Sequence, residues 1–173
     1  MVHQPPGPEG AGDVGLWSQL SNQNLQVVEG AIVAFNARDV EAFASLTTPD
    51  FEWFPSMSPV EGESFVGRDG VRRYFARLAG AWDYFRVVPD AFRQETDLVL
   101  VLGRLEGRGR SSGAAVDAAL GMAFDLRDTW IWRVRGYLDH EEALREVGFG
   151  GLASGDGGGG SAPPRGSTKE PKR

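Results

Sequence analysis

The sequence predicts one α+β domain with an antiparallel meander, and three observations predict it. Apolar residues recur at helical spacing over the first half of the chain. From residue 84 to 138 the chain instead reads as four consecutive strands joined by short turns. Helices gathered ahead of consecutive strands are the α+β pattern, not the alternation of a parallel α/β sheet. The third observation is length: 173 residues suffice for one ordinary domain and not for two.

Each element has its own signal. Leu25, Val28, Ile32 and Phe35 form one face of a first helix, with Ser21 as the expected N-cap. Asn36-Ala37-Arg38-Asp39 breaks that pattern, and Asp39 caps a short second helix with Val40, Phe43 and Leu46 inward, ended by Pro49. Phe51 to Phe54 reads as a short aromatic strand, followed by a loop from Pro55 to Pro59. Val71, Phe75, Leu78 and Trp82 give a third helix, with Asp69 as its expected cap and Arg72, Arg73 and Arg77 facing water. Strands follow near 84–94, 98–106, 114–126 and 130–138, and Pro89 marks an edge or a bulge in the first of them. The turns fall at Glu95-Thr96-Asp97, Gly107 to Gly113 and Arg127-Asp128-Thr129. Asp139 opens a last helix carrying Ala143, Leu144 and Val147, which Gly148 stops.

The ends differ from the middle. Residues 1–20 are expected to be an unstructured N-terminal segment and 150–173 a flexible Gly/Pro-rich tail, leaving a domain over 21–149. Residues 1–15 and 150–173 together hold twelve of the 24 glycines. Their charges cancel, so residues 16–149 carry the whole net charge of −6. An acidic body argues against nucleic acid or an anionic membrane as partner. The chain has no cysteine and two histidines, which removes thiolate metal sites, cysteine nucleophiles and multi-histidine metal sites. No metal and no cofactor is expected. No secretory pattern and no apolar stretch long enough to span a membrane occurs in the sequence, so the expected location is cytoplasmic.

Candidate functional residues compete with structural roles. Alternation along 130–138 places Trp130, Trp132, Val134, Gly136 and Leu138 on one face and Ile131, Arg133, Arg135, Tyr137 and Asp139 on the other. The first face is expected to meet the helices, either as plain core or as the lining of a pocket for a small apolar or aromatic molecule. Trp53, Tyr74, Trp132 and Gly136 are the expected ligand-binding residues. Arg104 and Glu106 share a strand face, as a positioned carboxylate or as a surface ion pair. Asp139 is an acid candidate, and with Glu142 it also makes a capping box. Glu52 is the remaining catalytic candidate. The glycine- and arginine-rich segment 107–113 leads into a strand rather than a helix and matches no phosphate-binding pattern, so it reads as a hairpin.

Three segments in order carry a family resemblance: Ala34 to Phe43, containing Asn36-Ala37-Arg38-Asp39; Phe65-Val66-Gly67-Arg68-Asp69-Gly70-Val71-Arg72-Arg73-Tyr74-Phe75; and Ile131 to Asp139 running on to Gly148. Over Asn24 to Phe149 the chain resembles the SnoaL-like group of the nuclear transport factor 2-like superfamily. That resemblance implies a cone-shaped, curved antiparallel sheet wrapped by three N-terminal helices, with a short C-terminal helix. It also implies an apolar pocket and a homodimer packed through the outer sheet. Members include polyketide cyclases, ketosteroid isomerases, limonene epoxide hydrolases and non-catalytic binding domains, so fold leaves function open.

The departures from the family patterns are informative. The cyclase and hydrolase aspartate corresponds to Gly136, the isomerase tyrosine to Ala31, and the isomerase general base to Phe54 or Pro55. The hydrolase Arg-x-Asp pair corresponds to Arg104 and Glu106. Three readings stand open: a binder of a small apolar molecule, an isomerase-, cyclase- or hydrolase-type enzyme using Glu106, Glu52 or Asp139, and a non-catalytic dimeric interaction module with a filled core.

Overall fold

A computed structural model describes residues 11–58 and 62–149. The element order is α1 (Ala11–Asn36), α2 (Val40–Ala44), β1 (Thr47–Phe54), β2 (Phe65–Val66), α3 (Gly67–Ala81), β3 (Trp82–Glu95), β4 (Leu98–Gly109), β5 (Ala115–Arg127), β6 (Trp130–Tyr137) and α4 (His140–Glu146). The strands form one curved, unclosed sheet in the order β2-β1-β6-β5-β4-β3. Consecutive strands β3 to β6 make the expected meander, whereas β1 joins β6 in parallel. The two-residue β2 was not expected, because two residues carry no periodicity; it pairs through Glu52 with Val66 and Trp53 with Phe65.

Helix starts depart from expectation in two places. Ser21 does not cap α1, which begins at Ala11 and so takes in half of the segment expected to be unstructured. Its backbone carbonyl instead accepts a hydrogen bond from the Gln94 side chain at 2.8 Å. Asp69 does not cap α3 either; the helix starts at Gly67, and Asp69 lies in its first turn paired with Arg72 at 3.1 Å. A carboxylate there suits the positive end of the helix dipole without capping it. Asp39 and Asp139 do cap their helices, accepting from the Ala42 and Glu142 amides at 3.0 and 2.7 Å. Residues 1–10 and 150–173 lie outside the described residues.

The main core lies between the inner sheet face and the three N-terminal helices. Val28, Ile32 and Phe35 of α1, Phe43 of α2, and Val71, Tyr74, Phe75 and Leu78 of α3 meet alternate residues of the strands. A second, smaller cluster lies on the opposite face, where Ala143 of α4 packs on Leu100 and Ala123. The docking is close: a Cβ on Gly121 would sit 2.5 Å from the Ala143 Cβ. His140 lies 2.8 Å from the Gly103 carbonyl and ties the start of α4 to β4. α4 therefore covers part of the sheet face that the resemblance assigns to a homodimer.

The joint after α1 is built around Asn36. Its Oδ1 accepts from the Val87 amide and its Nδ2 donates to the Val87 carbonyl, each at 2.8 Å, so one side chain completes β3 like an extra strand residue. Arg38 turns the chain at φ 60° and donates to the Phe85 carbonyl at 3.1 Å. Pro89 sits both on an edge strand and at a register shift between Pro89 and Ala91. Among the described residues no helix is long and apolar enough to cross a membrane.

Asn36→Ala leaves two backbone groups of Val87 without their partner. It is expected to lower the unfolding free energy by about 1–3 kcal/mol, read as a lower urea midpoint at unchanged slope.

Candidate functional site

The interior of the sheet holds aromatic rings rather than open space. Trp53 of β1 contacts Phe35, Phe43 and Tyr74 at centroid distances of 5.6, 5.0 and 4.5 Å, and Phe85 lies 5.9 Å from Phe35. What is left is a cavity of ≈ 20 Å³, lined by Trp53, Tyr74, Ser56, Leu120, Met122 and Gly136 among others. That is room for about one water molecule. Three of the four expected ligand-binding residues, Trp53, Tyr74 and Gly136, do meet there, but around a nearly filled space.

Trp132 is not with them. β6 and β5 slip register between Asp125 and Leu126, so that Ile131 opposes Leu126 and Arg133 opposes Asp125. The slip makes Trp132 an extra residue and brings Ile131 into the core beside Val134. Trp132 is held instead between the Arg127 and Arg133 guanidiniums, 4.0 and 4.4 Å from its ring centroid. The expectation that Ile131 faces outward is corrected by the same slip. Trp130 is 47% exposed rather than against the helices.

Gly136 owes its identity to a close approach. A Cβ there would stand 2.6 Å from the Ser56 amide nitrogen and 2.9 Å from the Ser56 Cβ. The loop after β1 has closed into the space that an aspartate would need. Ala31, at the family's tyrosine position, is fully buried in the core, and Phe54 and Pro55 are half-buried at the end of β1.

None of the carboxylate candidates lines the interior. Glu106 lies on the outer sheet face, where Arg86 at 2.6 Å, Tyr84 at 2.8 Å and Arg104 at 3.1 Å surround it. Hydrogen bonds from Arg86 and then Tyr84 hold its carboxyl below the usual range, the opposite of what a general acid near neutrality requires. Arg104 bridges Glu106 and Asp117 on that same face. Glu52 alternates with Phe51 and Trp53 and so sits on the face of β1 away from the core. Asp139 is engaged as the cap of α4. Among the described residues no three His, Asp or Glu side chains converge as a metal site would require.

Sequence reasoning missed the open spaces, which flank α3. One cleft of ≈ 590 Å³ lies at the end of the sheet where the interior would open. It is lined by Met57, Leu78, Ala81, Trp82 and Leu138 together with Ser58 and Arg77, and it shares Ser56 and Tyr74 with the small internal cavity. Met57 is 41% exposed and Leu138 43%. Beside it Glu63 accepts hydrogen bonds from Ser58 and from Arg77, the latter at 2.6 Å, and these hold its carboxyl below its ordinary value. The other cleft, of ≈ 560 Å³, lies on the opposite flank, between α2, α3 and the start of β3. Both clefts were illegible because they arise between elements distant in the sequence.

Residues 28–136 match the family model described as the SnoaL-like domain. No curated protein matches the sequence. Three solved structures illustrate the likeness in fold. An NTF2-like protein of unknown function from Burkholderia pseudomallei is 22% identical with a TM-score of 0.62, over 71% of this chain and 95% of that one. TerC, co-crystallized with polyporic acid, is 24% identical at 0.61, over 72% and 97%. A protein with a ketosteroid isomerase-like fold from Catenulispora acidiphila, in complex with trimethylamine, is 16% identical at 0.59, over 70% and 92%.

Gly136→Asp and Gly136→Ala are both expected to destabilise by about 1–3 kcal/mol, since the obstacle is the Cβ and not the charge; thermal melts of the two variants check this. All three tyrosines have raised phenol pKa values: Tyr74 by burial, Tyr84 chiefly by its hydrogen bond to Glu106, and Tyr137 by burial. Their protonated forms favour the fold fully below about pH 10, the unfolded value, and that contribution is lost as pH rises through the folded values. Ultraviolet titration is expected to show less than half the phenolate at pH 10 in folded protein, and half in urea.

Proposed function

The chain belongs to the SnoaL-like domain family, and from that premise we propose that it is a non-catalytic binding protein for a small, neutral, apolar or aromatic molecule. The ligand lies in the cleft at the mouth of the sheet, against Met57, Leu78, Trp82 and Leu138, rather than in the interior. The observation that carries this reading is the ≈ 590 Å³ cleft itself, with large apolar side chains left exposed around it. A volume of that order is typical for drug-sized ligands, and apolar walls with few polar groups are typical linings. Ser56 and Tyr74 at its floor supply polar atoms for orientation.

The lack of a catalytic set supports binding over turnover. Every carboxylate candidate is on the outer face or engaged as a cap, and the family's acid position is closed by Ser56. The dimeric interaction module is the second reading, and the filled interior is the observation that favours it. On that reading a second copy packs against the outer face around Tyr84, Arg86, Arg104 and Glu106; sedimentation at micromolar concentration giving a mass of 18.7 kDa counts against it.

The binding reading is tested by titrating neutral naphthalene-type and steroid-type compounds against tryptophan fluorescence, with Trp82 in the cleft wall as reporter. Saturable quenching is expected, weakened about tenfold or more by Leu138→Arg, which puts a charge on an apolar wall. Quenching that does not saturate, or that Leu138→Arg leaves unchanged, refutes the mouth cleft as the site.

A further inference from the structure

We propose that the Tyr74 phenol selects the ligand of the mouth cleft by donating a hydrogen bond to a neutral carbonyl oxygen. The class bound there is then an aromatic ketone, quinone or ester rather than a hydrocarbon or an acid. This rests on the reading of that cleft as the binding site, and adds what the bound molecule must carry.

The hydroxyl is left over from the packing. Tyr74 projects from α3 with its ring against Trp53 at 4.5 Å and Phe65 at 5.1 Å, and the residue is 6% exposed. The other two tyrosines engage their hydroxyls: Tyr84 donates to Glu106 at 2.8 Å, and Tyr137 accepts from Arg135 at 3.4 Å. The Tyr74 hydroxyl bonds to none of the described residues. It is not sealed either. The side-chain atoms that are both sealed and unpaired belong to Asn24, Arg38, Thr48 and Arg135, so the Tyr74 oxygen keeps access to the space beside it. That space is the junction of the internal cavity with the mouth cleft, since Tyr74 lines both. The ring is fixed by the aromatic core, so little freedom is lost when the hydroxyl takes a partner.

The surroundings decide what kind of partner fits. Burial pushes the phenol pKa well above its ordinary value, so the group keeps its proton at physiological pH and serves as a donor. Arg38 and Arg77 act in the opposite sense, which places a positive potential at the oxygen. A positive potential favours an acceptor oxygen over a second donor proton. Arg77 lines the cleft but is already paired with Glu63 at 2.6 Å, so it leaves no unmatched cation for a carboxylate. Ser56, which also lines both spaces, offers a second neutral hydroxyl. A hydrocarbon covering this floor strips water from the phenol and returns no hydrogen bond, and that is how a buried polar group discriminates.

The test uses the full chain with two probes of similar shape, 2-acetylnaphthalene and 2-ethylnaphthalene, and with dissociation constants from tryptophan quenching. Tyr74→Phe removes one oxygen that holds nothing in the fold, and its binding of 2-ethylnaphthalene reports that it is folded. The ratio of ketone to hydrocarbon affinity is expected to fall about tenfold in Tyr74→Phe, with the ketone weaker and the hydrocarbon equal or tighter. The infrared carbonyl stretch of bound 2-acetylnaphthalene is expected at lower wavenumber in the unaltered chain than in Tyr74→Phe. An unchanged ratio or an unchanged stretch overturns the proposal, and the cleft itself still stands if Leu138→Arg weakens both probes. Tighter binding of 2-naphthoate than of the ketone overturns the neutral class. Insensitivity of both probes to Leu138→Arg refutes the mouth cleft, and this proposal with it.

Discussion

Trp53 is the contact on which the fold depends. It projects from β1, yet its ring meets one aromatic residue from each N-terminal helix: Phe35 of α1, Phe43 of α2 and Tyr74 of α3. Such pairs contribute about 0.5–1.5 kcal/mol each beyond the area they bury. One side chain therefore fixes three helices against the sheet. The same packing fills the interior and moves open space to the flanks of α3. Where the clefts lie is a consequence of how the core is filled.

Charge is kept to the outside and mostly matched. The outer face carries Tyr84, Arg86, Arg104, Glu106 and Asp117 as one network, and Asp125 with Arg133 and Arg135 as another. Exposed pairs such as Arg104 with Asp117 contribute about 0–1 kcal/mol each. Their effect is to hold carboxylates away from chemistry rather than to stabilise the fold. Arg38 is the contrast, since it reaches the edge of the aromatic core without a carboxylate partner among the described residues.

Much of the fold was legible in the sequence because it follows from local pattern. The α1 face, the Asp39 and Asp139 caps and the four-strand meander each rest on spacing within a few residues. The parallel pairing of β1 with β6 was not legible, because nothing in either segment encodes a partner so distant. Trp132 shows the sharper limit: alternation assigns faces correctly only while register holds, and one extra residue at 132 reversed the prediction for Trp130 and Ile131. The site was legible only in part. Gly136 stood out as a departure from the family's acid, but the cause, the Ser56 backbone lying against it, is a contact between segments eighty residues apart.

The parallel pairing of β1 with β6 also orders events in time. Thr47 must find Ile131, and Leu46 offers its carbonyl to the Ile131 amide at 3.0 Å, across more than eighty residues. The β3 to β6 meander closes on itself through local hairpins, whereas β1 gains its place only after β6 exists. During synthesis Phe43, Phe51 and Trp53 emerge from the ribosome long before the strand that shelters them. For that interval the nascent chain carries these aromatic side chains uncovered, a window in which aggregation competes with folding until the last strand is made.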